Sequence, residues 1–150
     1  MVSLKQRQSG FTIVELLIVI VIIGILATLV IVTFSGVQQR ARDSERKTDI
    51  NAIAGQLEAV YAKNGAYPTL TDVNDSAWRS TNEFRIDTKA FADPKSATPA
   101  GAALAGAVGA NVYAYTNLTP ASCTSATCAT YTLTSTLEQT GTTTYTRSSN

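Results

Sequence analysis

Phe11-Thr-Ile-Val-Glu15-Leu-Leu-Ile-Val-Ile-Val-Ile-Ile-Gly24-Ile-Leu-Ala27 is the stretch from which the fold follows. No charged residue occurs from Leu16 to Gln39. Leu16–Phe34 alone would rise about 28 Å as a helix, close to the ~30 Å hydrocarbon core of a bilayer. Isoleucine and valine are slightly poor helix formers in water, but in lipid an unpaired backbone group costs several kcal/mol and forces the helix. A buried parallel strand also tolerates an Ile/Val run, yet such strands usually take about four to eight residues. The run predicts a membrane-spanning helix.

Nothing stops that helix after Phe34. Ser35 and Gly36 weaken it locally, but no proline follows until Pro68. Beyond Gln39 the pattern becomes amphipathic, with Ile50, Ile53, Leu57 and Val60 recurring at helical spacing. The charges of Arg40–Lys47, interleaved with Asp43, Glu45 and Asp49, read as a solvated face on which Arg42 pairs with Glu45 and Arg46 with Asp49. Lys63-Asn64-Gly65, followed by Tyr67-Pro68, is a helix stop. One helix is therefore expected from about Phe11 to Lys63, and its apolar stripe needs a cover.

The C-terminal part supplies one. Val112–Thr116, Tyr131–Leu137 and Thr142–Thr146 alternate with period two, with Thr140-Gly141 as a turn. Thr69–Gly109 is irregular: Thr71–Trp78 has turn and cap chemistry with Trp78 as a packing anchor, and Ala97–Gly109 is a loop or short helix. The fold class is α+β, a long N-terminal α-helix (transmembrane in its first half) packed on a small antiparallel β-sheet. Cys123 and Cys128 fall between the first two strands. A disulfide closing a small loop, which implies an oxidising compartment, stands beside the reading of two reduced cysteines packed as small hydrophobes.

Composition narrows the chemistry. The chain has no histidine, which removes the commonest general base and the commonest metal ligand. Its net charge is +1, and loss of Lys5 and Arg7 would leave it near −1, without the cationic field that nucleic acid requires. No cofactor or metal is expected. Asp72-Val-Asn-Asp75 lacks the glycine and distal glutamate of a calcium loop and reads as a turn. Asn74-Asp-Ser76 and Asn117-Leu-Thr119 match glycosylation sequons.

A short basic leader, small residues Ser9-Gly10 and the carboxylate of Glu15 meet at the start of the apolar run. A secretory signal places its cleavage site after the apolar region. Here the small residues come before it, so cleavage would keep the helix in the mature protein. Lys5-Gln-Arg7-Gln-Ser-Gly10-Phe11-Thr-Ile-Val-Glu15-Leu resembles the type IV prepilin signal, over Lys5 to about Phe34. The helix exit Tyr61-Ala-Lys-Asn-Gly65-Ala-Tyr67-Pro68 is similar to pilins and pseudopilins, as, more weakly, is Tyr131-Thr-Leu133…Leu137-Glu138.

The resemblance implies a leader at 1–10, a hydrophobic transmembrane and assembly helix at 11–36, its amphipathic continuation at 37–65, and an extracytoplasmic head at 66–150. It implies cleavage by prepilin peptidase between Gly10 and Phe11, N-methylation of Phe11, and an assembly role for Glu15. An ion pair fits that role: a carboxylate costs about 2.5–3.5 kcal/mol at mid-bilayer and less near a helix end. An opposite charge about 4 Å away returns ~4 kcal/mol at an effective dielectric of 20, before desolvation. The amine exposed on Phe11 of a neighbouring subunit would be that charge. The bland reading of Glu15 is an interfacial residue snorkelling to water. Gly24 reads as close helix packing or as a point where the helix loosens.

The partners implied are further copies in a helical filament, the peptidase, inner-membrane assembly machinery and the membrane itself. The precursor would be a single-pass inner-membrane protein with its head outside, the product a surface pilus for adhesion, motility or DNA uptake. Counting Arg40, Arg42, Arg46 and Lys47 against Lys5 and Arg7 favours the opposite orientation, but long domains translocate largely regardless of charge. The alternative is a pseudopilin of a secretion or competence machine. The major secretion pseudopilins use an acidic calcium site near the C-terminus, whereas Glu138 is the single acid after Asp93 here. More distant readings are a membrane-anchored extracytoplasmic binding protein and a membrane-anchored enzyme; the latter lacks a histidine-based catalytic set.

Overall fold

The computed structural model describes residues 10–97, 103–139, 141 and 143–149. The long helix α1 is Ile13–Asn64, starting two residues after Phe11 and ending one after Lys63. The chain divides into two compact units after Gln38.

In the first unit the apolar side chains point into the surroundings, from 47% exposed at Val19 to 83% at Ile13. The helix is long and apolar enough to cross a membrane. Its threonines stay satisfied without water: Thr28 Oγ1 donates to the Ile25 carbonyl at 2.7 Å, and Thr33 Oγ1 reaches the Leu29 and Val30 carbonyls at 3.0 Å.

The second unit holds the core. Strands β1 (Tyr113–Thr119), β2 (Thr130–Thr136) and β3 (Thr144–Ser148) form an antiparallel sheet in that order. β2 and β3 lie within one or two residues of the expected segments at both ends, whereas β1 starts one residue late and runs on to Thr119, past the expected end at Thr116; Thr140 and Thr142 fall outside the described residues. The register puts Tyr113, Tyr115, Tyr131, Leu133 and Tyr145 on one face and Ala114, Thr116, Thr132, Thr134 and Thr146 on the other. Ile50, Ile53, Leu57 and Val60 of α1 pack with Tyr113, Tyr115, Tyr131 and Leu133 in one buried cluster.

Each phenol on that face finds an acceptor on or beside α1, because a buried hydroxyl must be satisfied. Tyr113 donates to Asp49 (2.8 Å), Tyr145 to Asn51 (3.0 Å), Tyr131 to Glu58 (3.1 Å) and Tyr115 to the Pro68 carbonyl (2.8 Å). Tyr67 also donates to Glu58, and burial together with that carboxylate pushes its phenol up to about 12. The helix ends as expected: Gly65 takes φ 75° and its N–H bonds the Tyr61 carbonyl at 2.7 Å.

The middle is more ordered than its sequence suggests. Helices α2 (Leu70–Asn74) and α3 (Ser76–Thr81) follow one another, then a 3₁₀ turn at Thr88–Phe91. Asp72 completes a capping box with Thr69, and Asp75 caps α3. Trp78 packs on Phe84 with ring centres 6.3 Å apart. Residues 98–102 of the Ala97–Gly109 segment lie outside the described residues; beyond them, Ala105 bridges to β1.

One expectation is overturned. The Arg40–Lys47 segment is not simply a solvated face, because Asp43 and Arg46 are each 1% exposed. Their partners come from segments far along the chain, which local charge spacing cannot reveal.

Candidate functional site

Glu15 sits at the first turn of α1 and closes a capping box. The Glu15 N–H donates to Thr12 Oγ1 at 3.2 Å, while Glu15 Oε2 accepts from Thr12 N at 2.8 Å and from Thr12 Oγ1 at 2.7 Å. Thr-x-x-Glu immediately before an apolar run was the sequence signal for this cap, and Thr12 is the residue that sequence reasoning missed. Only Oε2 is engaged; Oε1 makes no hydrogen bond among the described residues. Phe11 lies outside the helix and is 80% exposed. Gly10 is exposed, with no atom within 4 Å of where a Cβ would stand. Lys5 and Arg7 of the leader lie outside the described residues.

Glu15 is the single charge between Phe11 and Val37. Gly24 is likewise open on its side-chain side, with nothing within 4 Å. The structure brings Gly10, Phe11, Thr12 and Glu15 together by sequence adjacency, and Gly24 lies further along the same helix.

A second cluster lies at the start of the other unit. Arg46 meets Asp43 at 2.7 Å, Asp93 at 2.7 Å and Glu138 at 2.8 Å. Arg42 grips Glu138 through Nε (2.7 Å) and Nη2 (2.6 Å), and Lys95 adds a third cation at 3.1 Å. The Asp43 carboxylate accepts the backbone N–H groups of Glu138 (2.9 Å) and Gln139 (3.1 Å). The Arg42 hydrogen bonds, with those of Arg46 and Lys95, hold the Glu138 carboxyl well below the usual range against a burial penalty. Burial alone would raise Asp43, but its backbone and Arg46 hydrogen bonds outweigh that and lower it. This network ties α1, the turn after Ala92 and the β2–β3 connection to one another.

Cys123 and Cys128 are joined, S–S 1.98 Å with Cα atoms 5.0 Å apart. The Cys128 carbonyl accepts the Tyr67 N–H at 2.8 Å, so the bridged loop also holds the residue that follows the helix exit. Among the described residues no group of three or more His, Cys, Asp or Glu side chains is placed to hold a metal. Of the sequons, Asn74 is occupied structurally: its amide donates to the Leu104 carbonyl at 3.0 Å and its carbonyl accepts the Leu104 N–H at 2.8 Å. The Asn117 side chain lies outside the described atoms.

Comparison with known proteins points to the same N-terminal feature. Residues 5–31 match the prokaryotic N-terminal methylation motif. The type II secretion system core protein G of Aeromonas hydrophila is 43% identical over 65 residues, 43% of this chain and 46% of that protein. Its namesake in Dickeya chrysanthemi is 39% identical over 66 residues, 44% of this chain and 43% of that protein. The type IV major pilin protein PilA of Myxococcus xanthus is 39% identical over 63 residues, 42% of this chain and 29% of that protein. The chain therefore spans less than half the length of these relatives. No solved structure gives a significant match.

Proposed function

We propose, from an N-terminal segment that matches the prokaryotic N-terminal methylation motif and is similar to those of the secretion core protein G and PilA relatives, that the chain is a structural subunit of a type IV pilus-like filament, anchored in the membrane as a precursor and polymerised through α1. One observation carries this reading: an exposed apolar helix face from Phe11 to Val37 whose single charge is a carboxylate with one oxygen uncommitted. Buried against copies of itself, such a surface gains roughly 25 cal/mol for each Å² withdrawn from water. Within lipid, the association rests on packing and on the polar contact.

Prepilin peptidase would cut between Gly10 and Phe11 and methylate Phe11. The new ammonium of Phe11 in one subunit would bond Oε1 of Glu15 in its neighbour, while Oε2 keeps the Thr12 cap. The uncleaved chain lacks that ammonium, so processing licenses assembly. A repeated head-to-neighbour contact does not close and builds a helical filament. The disulfide supports a head outside the cytoplasm, where thiols oxidise.

Mass spectrometry of sheared surface fractions tests this. The expected terminus is a methylated Phe11; filaments carrying Met1 would overturn it. A pseudopilin role in a secretion machine is the second reading, favoured by the greater share of the secretion core protein G relatives that the match covers. Loss of secreted enzymes with no surface pili in a deletion strain would select it.

A further inference from the structure

The two edges of the sheet are finished differently. On β1, the Tyr113 carbonyl and the Tyr115 N–H point away from β2, and Ala105 satisfies both, each at 2.8 Å. The strand then slips register between Thr116 and Thr119 and runs into Pro120, which closes that edge to further pairing.

The outer edge of β3 has no such protection. Leu137 N bonds Thr143 O at 3.0 Å and Ser149 N bonds Tyr131 O at 3.2 Å, so residues 143, 145, 147 and 149 direct their backbone groups at β2. Thr144, Thr146 and Ser148 therefore direct their N–H and C=O groups outward. All three are exposed, and among the described residues no strand lies beyond them. The strand reads Thr-Tyr-Thr-Arg-Ser, of good strand propensity and without proline or glycine to blunt it.

We propose that this edge is a self-association site, at which β3 pairs antiparallel with β3 of a second copy of this chain, centred on Thr146. Backbone direction restricts the register: outward residues pair only with outward residues, which admits centres at each residue from Thr144 to Ser148. Centred on Thr146, Thr146 meets Thr146 and Thr144 meets Ser148 of the second copy, each pair exchanging both hydrogen bonds. Tyr145 and Arg147 then fall opposite one another across the new junction. The strand's single charge meets the Tyr145 ring, over which Lys47 of the same chain lies 5.9 Å from the centroid, and not the guanidinium of its copy. Centring on Thr144 or Ser148 loses that match, centring on Tyr145 sets ring against ring and leaves Arg147 opposite Thr143, and centring on Arg147, like an in-register parallel pairing, brings the guanidinium groups side by side. The choice of a second copy as occupant rests on this complementarity.

The contact is two-fold and closes on itself. Successive subunits of a polar helical filament are related by a screw, so this pairing joins chains in separate assemblies. If the filament reading holds, it is a lateral link between filaments; the pairing itself does not depend on that reading.

Cysteine cross-linking of the full-length chain in detergent tests the register. Both native cysteines are in the disulfide, so an introduced one is the only free thiol. In the proposed pair Thr146 meets its own copy at a Cα separation of about 5.5 Å, within the roughly 4.4–6.8 Å that disulfides span. Thr144 and its own copy would be about 14 Å apart. T146C should give a cross-linked dimer under mild oxidation, T144C and S148C alone should not, and a mixture of T144C with S148C should restore it. Equal cross-linking by all three single variants, or none by T146C, overturns the proposal. Thr146→Pro removes an N–H that β2 does not use. It should abolish the dimer while the Cys123–Cys128 bridge and the far-UV spectrum persist; a dimer that survives it with those features intact also overturns the proposal.

Discussion

The Arg46 guanidinium meets the Asp93 carboxylate across 47 residues of chain, Nε to Oδ2 at 2.7 Å and Nη2 to Oδ1 at 3.0 Å, with both side chains closed off from solvent. Asp43 and Glu138 complete the ring around the same guanidinium. Two charges withdrawn from water are costly, and here the cost is offset by forked geometry and by backbone N–H donors to Asp43. The arrangement fixes which loop meets α1, a matter of specificity more than of net stability.

Arg46→Met should therefore be severe, because it leaves buried carboxylates without their cation. The expected loss is about 3–5 kcal/mol, read by denaturant unfolding of the detergent-solubilised chain. Arg46→Lys should recover only part of it, since an ammonium cannot reproduce the fork. A loss below about 1 kcal/mol for Arg46→Met would show that water reaches the site.

Acid should act on two groups in opposite directions. Glu138 and Asp43 are held below their ordinary values, so their contribution is complete above the carboxylate range and is lost as pH falls through the folded-state values. Asp49 is different. Burial pushes it up to about 6, aided by the nearby charges of Glu45 and Asp93 and only partly countered by the Tyr113 hydroxyl. Its charged form opposes folding above pH ~6, and that opposition fades as pH falls toward about 4. Asp49→Asn should thus stabilise at pH 7, by no more than about 1 kcal/mol after solvent screening, and the advantage should disappear near pH 4. An unchanged difference across that range would refute the assignment to Asp49.

The long apolar run, the stripe Ile50, Ile53, Leu57 and Val60, the Gly65 stop and the period-two strands were all legible, because each is a local pattern that the backbone imposes. Arg46 was not. Its spacing to Asp49 suggested a surface pair, whereas the structure turns it toward Asp93 and Glu138, and only packing decides between those partners. The helices at Leu70–Asn74 and Ser76–Thr81 escaped notice because their five or six residues are too few to show periodicity. At the N-terminal site, Glu15 was legible from its isolation among apolar residues. Thr12 was not, because it carries no charge to single it out and its capping role lies in hydrogen-bond geometry that only the folded first turn displays.

Thr12 and Glu15 allow the cap and the charge to be separated. Thr12→Ala removes the cap oxygen, costs about 0.5–2 kcal/mol of local helix stability and frays the first turn, but leaves the carboxylate. Glu15→Gln keeps a capping acceptor and removes the charge. If the charge answers a neighbour's ammonium, Glu15→Gln should be processed at Phe11 yet yield few filaments, while Thr12→Ala retains most of them. Equal filament loss in both variants would assign the defect to helix fraying. Quantitative immunoblots of sheared fractions distinguish the outcomes.

The disulfide provides the last test, because its position couples oxidation to the helix exit. Cys128 is fully buried and its carbonyl holds the Tyr67 N–H, while the Tyr67 ring stacks on Tyr61 at 4.5 Å and meets Tyr131 edge-on at 4.8 Å. The bridge closes a short loop, for which chain entropy gives about 2 kcal/mol of stabilisation. Cys123→Ser with Cys128→Ser should lose about that amount. Loss confined to the loop should also expose one amide first: hydrogen exchange at Tyr67 should accelerate, while the β2–β3 ladder, which shares no bond with the loop, stays protected. Uniform acceleration across the sheet would mean instead that the bridge stabilises the head as a whole, and unchanged exchange at Tyr67 would mean that the helix exit holds without it.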